Sequence, residues 1–218
     1  MQIEKPPAPS GKAIARAMSE FQITLDSTQI EQIQEYTALL LRWNAKTNLT
    51  AIHDPLEILY RHFCESMFGA VAIPAETCRL ADVGSGAGFP GLPMKIFRPE
   101  LDLYLIESNL KKATFLTEVV RELGLKGVRV IVSRYEGLSE EVAPLDVVCS
   151  RAVGEFAPFL HWAASPEISV QKAALWIGAE DAARVSGIDG WDWQEPKPIP
   201  RSLRRFILVG DRKSPSSR

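Results

Sequence analysis

Three glycines at alternate positions, Gly84, Gly86 and Gly88, stand in the segment Ala81-Asp82-Val83-Gly84-Ser85-Gly86-Ala87-Gly88-Phe89-Pro90-Gly91. Glycine lets a backbone turn tightly and come against a ligand with no Cβ in the way, so this segment is the first candidate for a binding loop. Gly86-x-Gly88-x-x-Gly91 formally satisfies a dinucleotide fingerprint, with Glu107 at about the right distance to hold a ribose. In that fingerprint the glycines open directly into a helix facing a pyrophosphate, whereas here Pro90 and Pro93 flank Gly91. Asp82, just before the first glycine, serves an anionic diphosphate poorly and suits a ligand carrying an ammonium group. Farther along the chain, Asn48, Arg61, His62 and Arg151 are polar groups that could converge on the same cleft. For His62 the alternative is a helix histidine bonded to the protein body, and for Arg151 a structural salt bridge. His53 and His161 have no recognisable partner.

The elements that must position these residues follow from periodicity. Arg79 to Val83, Leu101 to Ile106, Val128 to Val132, Leu145 to Cys149, Ala173 to Ile177 and Phe206 to Val209 read as strands. Between them, Asn109 to Leu123 carries a helical stripe of Phe115, Leu116, Val119, Val120 and Leu123, closed by Gly124. Apolar strands alternating with helices predict a doubly wound α/β fold, a mostly parallel Rossmann-like sheet covered on both faces, with ligands at the carboxyl ends of the strands. Ahead of it, Asp26 can cap a helix ending near Asn44. Asp54-Pro55 opens another, with Leu56, Leu59, Phe63, Met67 and Ala70 on its apolar face and Pro74 ending it. The expected organisation is an N-terminal helical cover over residues 1–75, beginning with a loose Pro-rich stretch over residues 1–10, and a ligand-binding domain over residues 76–218 with a basic tail, in one compact unit.

An acid, the spaced glycines and a second acid one strand later resemble the first two motifs of class I S-adenosylmethionine (SAM) dependent methyltransferases. A longer series narrows this: Asn48-Leu49-Thr50 after a Trp-Asn helix end, Asp54-Pro55, Arg61-His62-x-x-x-Ser66, the glycine segment, Arg98-Pro99, Lys111-Lys112-x-x-Phe115-Leu116, Ser133-Arg134-x-Glu136 and Ser150-Arg151-Ala152. In that order they resemble the bacterial RsmG (GidB) family, over roughly residues 26 to 210. The resemblance implies a methyltransferase acting on N7 of a guanine in 16S ribosomal RNA, with SAM as cofactor and S-adenosylhomocysteine as product. It implies cofactor contacts at Asp82, Gly84, Gly86, Gly88, Phe89, Glu107, Tyr135, Glu136 and Arg151. Glu107 replaces the usual aspartate, Glu65 stands where the family usually has Asp, Leu110-Lys111 replaces Gly-Lys, and Ile177-Gly178 replaces Lys-Gly. No proton-transfer residue is assigned, because guanine N7 already offers a lone pair; Asn48, His62 and Arg151 are positioning candidates. Two other readings stay open: a nicotinamide (NAD) dependent oxidoreductase using the same loop, and a non-catalytic SAM- or RNA-binding module.

Charge bears on the partner. The 218 residues hold 25 Lys and Arg against 27 Asp and Glu, a net of -2, with 46% hydrophobic residues, an ordinary globular composition that excludes general disorder. From Lys197 to Arg218 there are seven cations against Asp211 alone, a local net of +6, leaving -8 on the rest. A basic end on an acidic body suits contact with a polyanion, and also suits a solvated tail. Arg61, Lys111, Lys112, Arg134, Arg201, Arg204 and Arg205 are the RNA-binding candidates, with Trp43, Phe89 and Phe156 as possible stacking platforms. Cys64, Cys78 and Cys149 have neither disulfide nor zinc spacing, so no metal and a reducing cytoplasm are expected. Met67 to Ala75, the longest apolar run, is too short to span a bilayer. The expected partner is 16S rRNA or a small-subunit particle, met by a monomer.

Overall fold

The structure, a computed structural model, describes residues 8–77, 79–138, 142, 144–151, 154–168 and 170–213. Residues 1–7 of the Pro-rich stretch, Cys78, Ala152 and Arg218 therefore lie outside the described residues.

The chain opens with α1 (Gly11–Ser19), capped by the Ser10 hydroxyl and burying Ile14, Ala17 and Met18; sequence periodicity marks no element there. Asp26 caps α2 (Ser27–Asn44) as predicted, and Gln29 answers it from the third helical position, so two orphan amides at the helix start are satisfied reciprocally. The helix begun by Asp54-Pro55 departs from its prediction. It runs as α3 (Pro55–Ile58), widens into a π-helical stretch over Leu59–Cys64 and resumes as α4 (Glu65–Ala72). A π turn inserts a residue and so rotates the helical turns after it. Leu56 is accordingly half exposed, while Glu65 and Ser66 are buried with Leu59, Phe63, Met67 and Ala70.

Eight strands form one sheet: β1 (Arg79–Val83), β2 (Asp102–Ile106), β3 (Val128–Ile131), β4 (Leu145–Ser150), β5 (Val170–Gly178), β6 (Trp191–Trp193), β7 (Lys197–Pro198) and β8 (Arg205–Arg212). Their order is β3-β2-β1-β4-β5-β8-β6, with β7 also on β8. β1 to β5 pair in parallel, and β8 runs antiparallel to β5 from Lys172–Asp211 to Gly178–Arg205. Both β5 and β8 are longer than their apolar centres predict, because the ladder continues through polar ends that hydropathy alone discards. The remaining helices are α5 (Gly91–Phe97), α6 (Leu110–Glu122), α7 (Phe156–Ala163) and α8 (Ala179–Val185). Gly124, in left-handed geometry at φ +62°, closes α6.

Strand alternation divides the core into two layers. Leu103 and Leu105 of β2 join one cluster with Ile33, Tyr36, Phe63, Leu92 and Phe115. Tyr104 and Ile106 join the other with Val148, Phe159, Leu160 and Trp191. The helices of the first 75 residues thus bury their apolar faces in the same cluster as α5 and α6. Strand order reverses between β2-β1 and β4-β5, and the crevice at the carboxyl ends of β1 and β4 is where doubly wound sheets bind ligands. Among the described residues no helix is long and apolar enough to cross a membrane.

Candidate functional site

β1 delivers the chain to that crevice, and the glycine loop turns there with Gly84, Gly86 and Gly88 at φ +71°, +57° and +87°, the left-handed region that favours glycine. The three have different neighbours. A Cβ at Gly84 would meet nothing within 4 Å, so this residue faces open space. One at Gly88 would lie 2.3 Å from Tyr36 Oη and 2.5 Å from Leu92 Cδ1, so Gly88 makes room for the core and does not reach the ligand face as the resemblance implies.

Six of the loop's amides are bonded to protein oxygens. Gly84 and Ser85 N–H donate to the Ile106 carbonyl (2.9 and 3.1 Å), and Gly88 and Phe89 N–H to the Ser85 carbonyl (2.7 and 3.2 Å). Gly86 N–H donates to Glu107 Oε2 (2.9 Å) and Gly91 N–H to Asp82 Oδ2 (2.9 Å). Asp82 is fully buried behind the loop and lines neither of the two cavities at the loop's outer face, which corrects the expectation that it faces the ligand. Among the described residues its Oδ1 has no hydrogen-bond partner; burial, with a smaller push from the Glu107 charge, raises its pKa to about 7 against the Gly91 hydrogen bond.

These two cavities meet at Gly84. One, of about 230 Å3, is lined by Val83, Ile106, Ser133, Arg134, Tyr135 and Glu136. Tyr135 is backed there by Phe159 and Trp162, with ring centroids 5.7 and 5.1 Å away. The other, of about 380 Å3, lies between the loop (Gly84 to Ala87, Phe89), Glu107 and Lys112 on one side and Thr50, His62 and Arg151 on the other. Glu107 holds the lip: Oε1 accepts from Asn109 N–H (2.8 Å) and Oε2 from Gly86 N–H, leaving a lone pair on each oxygen.

The far wall is a chain of polar contacts. Arg151 Nη1 lies 3.0 Å from His62 Nδ1, and Arg151 Nη2 lies 3.7 Å from Glu65 Oε2. Glu65, 3% exposed, also receives Arg205 through Nε (3.1 Å) and Nη2 (2.7 Å). His62 stacks on Phe89 (4.5 Å, 17°), and Phe89 on Tyr36 (5.3 Å, 5°). Burial first, then the Arg151 and Arg61 charges, depress the His62 pKa to about 3. His62 and Arg151 therefore combine both readings: each is tied to the body and each lines the cavity.

Several sequence expectations change. Arg205 is committed to the buried Glu65, while Arg201 pairs at the surface with Glu20 (3.0 Å) over the Tyr60 ring and stays exposed. Arg61 pairs with Glu57. Arg204 and Lys111 are exposed, Lys112 lines the larger cavity and Arg134 the smaller. Asn48 is exposed and outside the cavity lining; its neighbour Thr50 lines it, held by Asn44. His53 has a partner, Asn44 Nδ2 at 3.4 Å. Ile177, in the place of a family lysine, is buried on β5 opposite Phe206. Of the three aromatic candidates Phe89 alone lines the larger cavity, while Trp43 packs on Phe115. No site role was expected of Thr50, Asn44, Glu65 or Tyr36; the first three fall in segments the motif series touches, while Tyr36 lies in α2 outside it. Among the described residues no group of three or more His, Cys, Asp or Glu could hold a metal.

The profile of the GidB family, rRNA small subunit methyltransferase G, matches residues 29–182, which take in the loop, both cavities and Arg151. The chain belongs to that family. Ribosomal RNA small subunit methyltransferase G of Roseiflexus castenholzii is 43% identical over 152 residues, 68% of this chain and 65% of that protein. The protein of the same name from Dichelobacter nodosus is 39% identical over 153 residues, 70% of this chain and 71% of that one. The match thus spans just under two thirds of the Roseiflexus relative's length. Among solved structures, a SAM dependent methyltransferase from Aquifex aeolicus superposes with a TM-score of 0.59 at 16% identity, covering 75% of this chain and 96% of that one, a likeness of fold.

Proposed function

We propose that the protein transfers the methyl group of SAM to N7 of a guanine in small-subunit ribosomal RNA, as a cytoplasmic monomer whose residues 1–75 cover a cofactor domain over residues 76–218. The observation that carries the choice of cofactor is that most of the loop amides are already bonded to protein oxygens. A diphosphate needs free N–H donors at a helix start, and here Gly84, Ser85, Gly86, Gly88, Phe89 and Gly91 have spent theirs on protein oxygens. What the two cavities offer is the Glu107 and Glu136 carboxylates beside the space that Gly84 leaves open, which suits the ribose hydroxyls and cationic charge of SAM, with Lys112 and Arg151 on the larger cavity for its carboxylate. The residues fit SAM on these grounds, and they disfavour the dinucleotide reading.

In this reading Gly84 gives the close approach, the free lone pairs of Glu107 receive ribose hydroxyls, and the pocket beside Tyr135 and Glu136 takes the adenine. Asp82 shapes the loop from behind, through Gly91. When bound, SAM supplies an electrophilic methyl group. The guanine needs no deprotonation, so the protein's task is alignment, and proximity of this kind can contribute roughly 7 to 11 kcal/mol. His62 matches that absence of base chemistry, since it is neutral and both of its ring nitrogens are engaged. Lys112 and Arg134 line the cavities and Lys111 and Arg204 are exposed, so these four can supply cations for RNA phosphates, which position without reading sequence. A base splayed from a loop would enter the larger cavity, since A-form duplexes keep N7 in a deep groove.

Calorimetric titration tests the cofactor, with SAM binding and NAD not. Methyl incorporation from labelled SAM into small-subunit particles of a strain lacking its own enzyme then separates an enzyme from a binding-only module. Gly84→Asp should abolish both signals. Binding of NAD in place of SAM, or SAM binding with no labelled RNA, would contradict the proposal.

A further inference from the structure

Thr50 lines the larger cavity, and both its backbone and its hydroxyl are held by hydrogen bonds. Asn44 clamps its backbone from both sides: Asn44 Oδ1 accepts from Leu49 and Thr50 N–H (2.8 and 3.0 Å), and Asn44 Nδ2 donates to the Thr50 carbonyl (2.8 Å). The side-chain oxygen is fixed as well. Arg151 has only donors, so its 3.0 Å contact makes His62 Nδ1 an acceptor, and a neutral imidazole must then carry its hydrogen on Nε2. That N–H points at Thr50 Oγ1, 2.9 Å away, and Ile52 N–H donates to the same oxygen at 3.1 Å. Two incoming donors occupy both lone pairs of the hydroxyl. Stacking on Phe89 fixes the imidazole plane, burial keeps the ring neutral at the working pH, and the Arg151 donor sets its tautomer.

A hydroxyl is ordinarily ambivalent, accepting or donating as its neighbour requires. With both acceptor positions filled, Thr50 can only donate, and among the described residues it has no protein acceptor for that hydrogen. A purine methylated at N7 presents at its adjacent position 6 an acceptor oxygen if it is guanine and an amino donor if it is adenine. Resting on the guanine-N7 reading above, we propose that Thr50 is the recognition residue for the target base, donating to O6 of guanine, and that His62 and Arg151 act as positioning residues that make its hydroxyl a donor alone. An amino group at position 6 would meet a donor that cannot reverse itself, so the site rejects it by leaving two donors opposed.

The test pairs a variant with an altered base. Particles are reconstituted with RNA bearing guanine or 2,6-diaminopurine at the methylated position; the analogue keeps N7 and replaces O6 by an amino group. Wild type should favour guanine by about tenfold or more in kcat/KM, the scale of one hydrogen bond and its desolvated partner. Thr50→Val should bring that preference down by about tenfold, with the Kd for SAM within roughly twofold of wild type, and Thr50→Ser should restore it. If valine disturbs the loop, as a lowered Tm would reveal, Thr50→Ala carries the same comparison. An undiminished preference for guanine in both variants would overturn the inference alone, as would a matching loss of SAM affinity that places the hydroxyl on the cofactor. No methyl transfer by wild type to the guanine substrate would instead overturn the functional reading on which it rests.

Discussion

His62 is held neutral inside the fold, and that has a thermodynamic consequence. Its folded pKa of about 3 lies below the usual 6.5, so between these values the unfolded chain binds a proton that the native state refuses. Stability is therefore unaffected above about pH 6.5 and is lost progressively as pH falls toward 3, at about 1.4 kcal/mol per unit. Asp82 has the opposite sign: an acid raised to about 7 is protonated in the native state first and gains stability as pH falls. The comparison that isolates His62 is with His62→Gln. Urea unfolding at pH 7 and pH 5 should show wild type losing about 2 kcal/mol relative to the variant, and equal changes in the two would contradict the burial account. At this scale the motif series makes the ligand face of the site legible, since Gly84, Phe89, Glu107, Tyr135 and Arg151 all line one cavity or the other. It misassigns Asn48 because side-chain direction in a loop is set by tertiary partners. The residue that organises this loop is Asn44, at the last turn of α2, and the one that faces the cavity is Thr50.

Among elements, the glycine loop separates packing from binding within five residues. Gly88→Ala would force a methyl against Tyr36 and Leu92 at a left-handed φ, and should destabilise the protein by about 3 kcal/mol or more. Gly84→Ala meets no atom within 4 Å and should cost only the backbone strain, about 1 to 2 kcal/mol, while placing its methyl in the open space proposed for SAM. Thermal melts with and without SAM distinguish them: Gly88→Ala lowers Tm in both, and Gly84→Ala mainly removes the shift that SAM confers. Helices α2 and α6 are legible in sequence because a cap, an apolar stripe and a stop agree along one segment. The π turn at Leu59–Cys64 is not, because no local residue preference marks it, and His62, which lines the larger cavity, sits within it. β6 and β7 are too short and too polar to stand out, and form because β8 offers them an edge.

Across the whole molecule, the Arg205–Glu65 pair ties the start of β8 to α4 and, through Arg151, to the wall of the cavity. Removing Arg205 would leave a buried carboxylate with Arg151 alone, 3.7 Å away. Arg205→Ala should destabilise the protein by about 2 kcal/mol, the lower side of the range for broken buried pairs because a third of the Arg205 side chain is exposed. Arg204→Ala, its exposed neighbour, should stay within about 0.5 kcal/mol of wild type in the same urea titration. The basic segment of the sequence thus combines a tie to a buried carboxylate at Arg205 with exposed cations at Arg201 and Arg204, the first of them paired with Glu20 at the surface, and charge counting cannot separate them. The sheet order, the bonded loop amides and the absence of any needed base together form a claim about one reaction. Its most direct test is to incubate the protein with SAM and small-subunit particles lacking the modification, then cleave the RNA chemically at N7-methylated guanines. The account predicts a single new cleavage at one guanine, dependent on SAM and absent with Gly84→Asp. A methyl group found on another atom or base, or a cleavage pattern unchanged by the protein, would contradict it.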